Sequence, residues 1–94
     1  MEKRSKLDKY REKIDVIDIT LVKLLAKRMR VVKRIGKYKI RENIQVLDSS
    51  RWGKVLARVK DAGLKTGELD ALFIEDIWNR IHDEALKQEN NLKK

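Results

Sequence analysis

The chain has 94 residues, of which 41% are charged, and carries a formal net charge of +9. It contains no cysteine, which excludes a disulfide framework and a thiolate metal site, and no proline, which leaves long helices uninterrupted. Abundant Lys, Glu and Arg favour solvated helices over strands, so we predict an all-α fold. A single domain of this size, 1–94, buries only a modest core, and we therefore expect it to associate.

The positive charge is concentrated in the first part of the chain. Residues 1 to 41 carry fifteen Lys and Arg against five Asp and Glu, whereas the remainder carries nine against ten. Such a segment can attract nucleic acid, an acidic membrane surface or a small polyanion, and composition does not choose among them. The start of the chain has no apolar stretch suited to a signal peptide or a membrane span, so we expect a soluble, cytoplasmic protein.

The first predicted helix runs from Ser5 to about Arg41, and its apolar residues recur at heptad spacing. We call this row the seam: Leu7, Tyr10, Ile14, Ile17, Leu21, Leu24, Arg28, Val31, Ile35 and Tyr38. Arg28 stands where a leucine is expected. A helix of about 37 residues spans roughly 55 Å and overhangs the core of any single chain this small. We therefore predict an intertwined homodimer in which a second copy covers the seam.

Two cationic side chains of this helix suggest an anion site. Arg28 and Lys39 are separated by about three turns, or roughly 16 Å, and point within about 20° of each other, so both can reach one small anion. The alternative is that Arg28 pairs with a carboxylate of the third helix, Asp83 or Glu84. Arg11 cannot reach the same ligand from the same helix, but in an antiparallel dimer it could reach the partner's site.

Two further helices follow. The second is predicted from about Ser50 to Ala62, with N-cap candidates from Asp48 onward and Gly63 as its C-terminal signal. Its inner face is formed by Trp52, Val55, Leu56 and Val59. Thr66 or Gly67 opens the third helix, which runs to about Asn91. Its apolar stripe is Leu69, Leu72, Phe73, Ile77, Ile81 and Ala85.

The remaining candidates are assigned mainly to packing. His82 is the only histidine, so a histidine metal cluster or a Ser/His/Asp triad is not expected, and we predict a structural or exposed role for it. Trp52, Trp78 and Phe73 are expected in the core. Glu89 extends the line of Ile77, Ile81 and Ala85 at steps of four, which places a carboxylate at the end of an apolar face.

Nearly the whole chain resembles the all-helical chorismate mutases, the AroQ class. The resemblance rests on Leu7, Arg11, Glu12, Ile14, Asp18, Leu21, Leu24, Leu25, Ala26 and Arg28, and continues through Ile35, Gly36, Lys37, Lys39, Asp48 and Arg51. It implies a dimer that converts chorismate to prephenate, in the shikimate pathway to Phe and Tyr. The reaction is a concerted rearrangement without a covalent intermediate, metal or cofactor. Nucleic acid and membrane are not expected partners.

The resemblance also implies roles for individual residues. Arg28, Arg51 and Arg11 of the partner subunit hold the two substrate carboxylates, and Lys39 donates to the ether oxygen. Asp48 lies near the ring hydroxyl. Catalysis then consists of positioning and electrostatics.

Three positions depart from the family pattern. Trp52 replaces a carboxylate that binds the ring hydroxyl, and Ala85 replaces a small hydroxyl residue. Glu89 aligns with a glutamine that helps Lys39 at the ether oxygen, with Gln88 one position off the stripe. A carboxyl group donates a hydrogen bond only when it is protonated, so turnover is expected to fall as pH rises.

Other functions remain open at this point. An isochorismate-pyruvate lyase uses the same scaffold and could tolerate Trp52. A basic, nucleic-acid-binding helical dimer would explain the charge of the first helix but not Arg28 within the seam. A regulatory or inactive homologue would explain the three departures. From its length we expect a stand-alone mutase.

Overall fold

The computed structural model describes the backbone of residues 2–93 and the side chains of residues 5–93. Three helices follow one another: α1, Glu2–Arg41; α2, Ser49–Lys65; and α3, Ala71–Asn91. No strand occurs within this described part, so the predicted all-α fold and helix order are confirmed. None of these helices is long and apolar enough to cross a membrane. The chain divides into two compact units, one up to Val31 and one from Val32 onward.

The first unit is helical and exposes the apolar side of its seam. From Leu7 to Val31, the apolar seam side chains are 44 to 56% exposed. Contiguous apolar surface of this kind is uncommon on a soluble protein unless another molecule covers it. Arg28, within the same row, is half-buried.

The second unit contains the end of α1 together with α2 and α3. Asp48 caps α2, its carboxylate accepting a hydrogen bond from the Arg51 backbone N–H at 3.0 Å. The predicted inner face of α2 is half-buried along Trp52, Val55, Leu56 and Val59. Lys60 and Glu75 form a 2.8 Å ion pair between α2 and α3, and because both are about one-third exposed its contribution to stability is modest.

The predicted end of α2 at Gly63 is wrong. The helix continues to Lys65, and Gly63 is buried within it because Ile74 of α3 packs against that point. A Cβ atom on Gly63 would lie 2.7 Å from Ile74 Cγ1. The missing side chain therefore permits close helix packing, while the reversal of the chain occurs at Gly67, whose φ is +77°.

The predicted start of α3 at Thr66 or Gly67 is wrong as well. Thr66 closes α2: its hydroxyl donates to the Gly63 carbonyl at 2.6 Å and accepts from the Glu68 N–H at 3.1 Å. Helix α3 begins after Asp70, whose carboxylate accepts from the Phe73 N–H at 2.8 Å. The end of α3 at Asn91 agrees with the prediction.

The start of the predicted α3 stripe is also incorrect. Leu69, Leu72 and Phe73 are exposed, at 37, 67 and 49%, so Phe73 is not a core residue of this chain. Ile74 is buried instead, because α3 begins later than predicted and packs onto α2 through Gly63. Further along, Ile77, Ile81 and Ala85 are half-buried, as expected for the inner face. Trp78 is likewise half-buried.

The two glycines of α2 should respond oppositely to alanine. Gly63→Ala is expected to lower the free energy of unfolding by about 1–3 kcal/mol, because the new methyl group overlaps Ile74. Gly53→Ala should raise it by about 0.5–1 kcal/mol, because no atom lies within 4 Å of the added methyl group and alanine favours the helix. Urea unfolding measures both, and shifts in the same direction would contradict the packing described for Gly63.

Candidate active site

Lys39 is held in place at the end of α1. The chain turns back immediately after the helix: Asn43 has a φ of +57°, and the Ile44 N–H donates to the Lys39 carbonyl at 2.8 Å. This turn brings the Val46 carbonyl to the ammonium group, and Lys39 Nζ donates to it at 2.7 Å. The side chain is only 18% exposed, so the ammonium group is positioned rather than freely solvated.

A buried carboxylate of α3 faces this ammonium group. Glu89 is 7% exposed, and its Oε2 lies 3.4 Å from Lys39 Nζ. Gly36 makes the approach possible, since a Cβ there would lie 3.2 Å from Glu89 Cγ and 2.7 Å from Leu92 Cδ1. Burying a carboxylate is costly without a partner of opposite charge, and Lys39 supplies one. The result is a close pair of one donor cation and one carboxyl group.

Gln88 has a different environment from Glu89. Gln88 is half-buried: its amide nitrogen donates to Oε2 of the exposed Glu84 at 2.8 Å, while its amide oxygen is buried without a hydrogen-bond partner among the described residues. A carboxylate cannot accept from the amide oxygen, so this contact also determines the orientation of the amide. The residue of α3 beside Lys39 is therefore Glu89, while its chemical role remains a proposal.

Trp52 and His82 form an aromatic pair between α2 and α3. Their ring centroids are 4.0 Å apart and the ring planes differ by 11°, a stacked arrangement, and both residues are half-buried. Sequence reasoning treated the two residues separately. Their pairing was not accessible from spacing, because it depends on how α2 packs on α3. Ala85 is half-buried on α3 between His82 and Glu89.

The other predicted site residues are less enclosed. Asp48 and Arg51 are exposed, and one oxygen of Asp48 is engaged in capping α2. Arg11 is exposed and Arg28 is half-buried, both in the first unit. The contacts within the second unit do not bear on the roles predicted for Arg11, Arg28, Asp48 and Arg51.

A chain with this helix order and this Lys39–Glu89 pair can be compared with known families. The model of the family chorismate mutase type II matches residues 10–90. The chain belongs to this family. The resemblance to the all-helical chorismate mutases is thereby confirmed. All eight predicted site residues of this chorismate mutase type II chain lie within the matched segment.

Several curated proteins are similar to the chain over most of its length. It is 31% identical over 87 residues to the T-protein of Enterobacter agglomerans, covering 93% of this chain and 23% of that protein. It is 29% identical over 92 residues to the bifunctional chorismate mutase/prephenate dehydratase of Buchnera aphidicola subsp. Schizaphis graminum, covering 98% and 24%. The same-named protein of the subspecies Acyrthosiphon pisum is 32% identical over 85 residues, with 90% and 22% covered. The chain thus spans about a quarter of the length of these relatives.

Proposed function

We propose that this chain is an isomerase that converts chorismate to prephenate in aromatic amino acid biosynthesis. The observation that carries the proposal is the contact between Lys39 and the buried Glu89 in a chain of the chorismate mutase type II family. The name chorismate mutase/prephenate dehydratase, borne by two relatives, supports the same activity. A lyase acting on isochorismate and a nucleic-acid-binding dimer are not favoured by these findings.

The reaction requires little chemistry from the protein. One carbon–oxygen bond breaks and one carbon–carbon bond forms within a single molecule, and no atom is gained or lost. An enzyme then accelerates it by holding the reactive conformer and by stabilising charge that develops in the transition state. The ether oxygen gains negative charge as its bond to the ring breaks. Lys39 donates to this oxygen, and Glu89 donates to it when protonated.

The remaining polar groups of the substrate are assigned to the other predicted residues. Arg28 and Arg51, together with Arg11 of the partner subunit, bind the two carboxylates by charge-assisted hydrogen bonds. Asp48 accepts from the ring hydroxyl. Trp52 and Ala85 line the pocket. The support for these assignments is that every one of these residues lies in the segment matched by the family model.

The proposed active form is a homodimer. The exposed seam of the first unit supports this proposal, because a second copy would remove its apolar side chains from water. An arginine contributed across subunits makes the dimer necessary for catalysis as well as for stability.

A subunit-mixing experiment tests the shared site. Arg11→Ala and Arg28→Ala homodimers are each expected to be nearly inactive. In their heterodimer one site retains both arginines, so random mixing should restore about a quarter of the wild-type activity. Mixing Arg28→Ala with Arg51→Ala is the matched control and should restore nothing, because those two residues act within one subunit's site. Equal results for the two mixtures would contradict the assignment of Arg11 to the partner.

One assay decides the function. The full chain is incubated separately with chorismate and with isochorismate, and substrate loss and product formation are followed with Arg28→Ala alongside. Prephenate formation by the wild type, lost in the variant, is the expected result. Pyruvate release from isochorismate would favour the lyase. Turnover of neither substrate, together with DNA or RNA affinity that falls steeply with salt, would favour the nucleic-acid-binding dimer.

A further inference from the structure

We infer that His82 is a specificity-determining residue of this site, which hydrogen-bonds the ring hydroxyl of the substrate while Trp52 holds its imidazole in place. This inference rests on the proposed function, because it concerns the recognition of one group of that substrate. It departs from the expectation that His82 is only a structural or exposed histidine.

His82 lies on the face of α3 that carries Glu89. At helical spacing His82, Ala85 and Glu89 point within about 60° of one another, and His82 and Glu89 are about 10 Å apart along the axis. Glu89 contacts Lys39 at one end of this face, and His82 stacks on Trp52 at the other. Ala85 lies between them and contributes only a methyl group. A small cyclic acid matches the length of this face.

The stacked geometry exposes the polar edge of the imidazole. Because the His82 and Trp52 rings are nearly parallel, the indole covers the flat face of the imidazole and leaves its two nitrogens at the edge. Neither nitrogen has a hydrogen-bond partner among the described residues of the chain. The ring is half-buried, but neither nitrogen is among the buried unpaired polar atoms of the described residues, so the polar edge stays accessible to a ligand group. An orienting contact combined with an unused polar edge is typical of a side chain that receives a ligand group.

A neutral imidazole suits a hydroxyl group in particular. It offers one donor and one acceptor, and a hydroxyl group can accept from the first or donate to the second. The Asp48 carboxylate can only accept, so it cannot satisfy the oxygen of the hydroxyl. The cationic groups of the site are assigned to the carboxylates and to the ether oxygen. Among the polar groups of the substrate, the ring hydroxyl is therefore the one that matches the chemistry of His82.

The test compares chorismate with an analogue that carries hydrogen in place of the ring hydroxyl. His82→Phe keeps a flat ring that can stack on Trp52 but removes both nitrogens. The His82→Phe variant is expected to have a kcat/KM for chorismate that is roughly tenfold lower than that of the wild type. For the analogue the decrease should be about twofold or less, since only chorismate loses a hydrogen bond. His82→Asn, which has a donor and an acceptor, should recover part of the selectivity for chorismate. Thermal unfolding verifies that both variants fold.

The outcomes separate this inference from the function on which it rests. Equal losses of kcat/KM for both substrates in His82→Phe would mean that the imidazole serves packing alone and would overturn the inference. An unchanged kcat/KM for chorismate would overturn it too. In both cases the proposed function stands as long as the wild-type protein converts chorismate to prephenate. A wild-type protein that is inactive on chorismate would reject both the proposed function and this inference.

Discussion

Replacing Lys39 by alanine is expected to lower kcat for chorismate by roughly a hundred- to a thousandfold, with a smaller effect on KM. The ammonium group contacts Val46 and Glu89, which hold it in position and leave one of its three N–H groups for the substrate. Its hydrogen bond to the ether oxygen strengthens as negative charge develops there, so the loss should appear in the chemical step. Steady-state kinetics at saturating chorismate measure it.

The control for this result is Lys33→Ala. Lys33 is an exposed lysine of the same helix, and its replacement should leave kcat unchanged. Because Lys39→Ala leaves Glu89 without its cationic partner, Lys39→Gln provides a second variant that can still donate to the Val46 carbonyl. A folded Lys39→Gln protein with wild-type kcat would show that the ammonium group does not act on the ether oxygen.

Glu89→Gln is expected to remove a fall in kcat/KM with rising pH. A protonated Glu89 can donate to the ether oxygen, whereas the ionised carboxylate cannot and instead repels the charge developing there. The amide of glutamine donates at every pH, so the variant should retain its rate at high pH. Rates measured from acidic to alkaline pH provide the comparison.

Glu84→Gln is the matched control, because Glu84 is an exposed carboxylate on the same helix that accepts a hydrogen bond from Gln88. It should keep the wild-type pH profile. If wild type and Glu89→Gln have the same profile, Glu89 does not donate to the ether oxygen, and Gln88 becomes the candidate for that contact.

The helices were predictable because their signals are local. The seam of α1 and the cap at Asp48 are patterns within one segment, and the structure agrees with them. The α2–α3 connection was misread, since Gly63 looks like a helix stop when only its neighbours in sequence are considered. Its actual role depends on Ile74, eleven residues later, which packs onto it. A glycine that ends a helix and one that admits a neighbouring helix have the same sequence signal.

The candidate site likewise combines residues that were predictable from the sequence with contacts that were not. Arg28 and Lys39 were predicted from one helix, because a charge within an apolar row, and a second charge three turns later on the same side, are visible in the sequence itself. Glu89 was placed on an apolar line by spacing, but its proximity to Lys39 joins positions fifty residues apart and depends on the packing of α3 at Gly36. No sequence signal related His82 to Trp52, because nothing in either segment specifies which ring will lie opposite.

The sequence by itself therefore determined the all-helical class, the order of the helices, the excess charge of α1 and the family to which the chain belongs. These properties follow from periodicity, capping and motif, which act over a few turns of one segment. The tertiary structure alone decided that Gly63 is a packing position, that Glu89 rather than Gln88 lies beside Lys39, and that Trp52 stacks on His82. The physical reason is that each of these contacts joins distant segments, and close packing determines which side chains share the space between them.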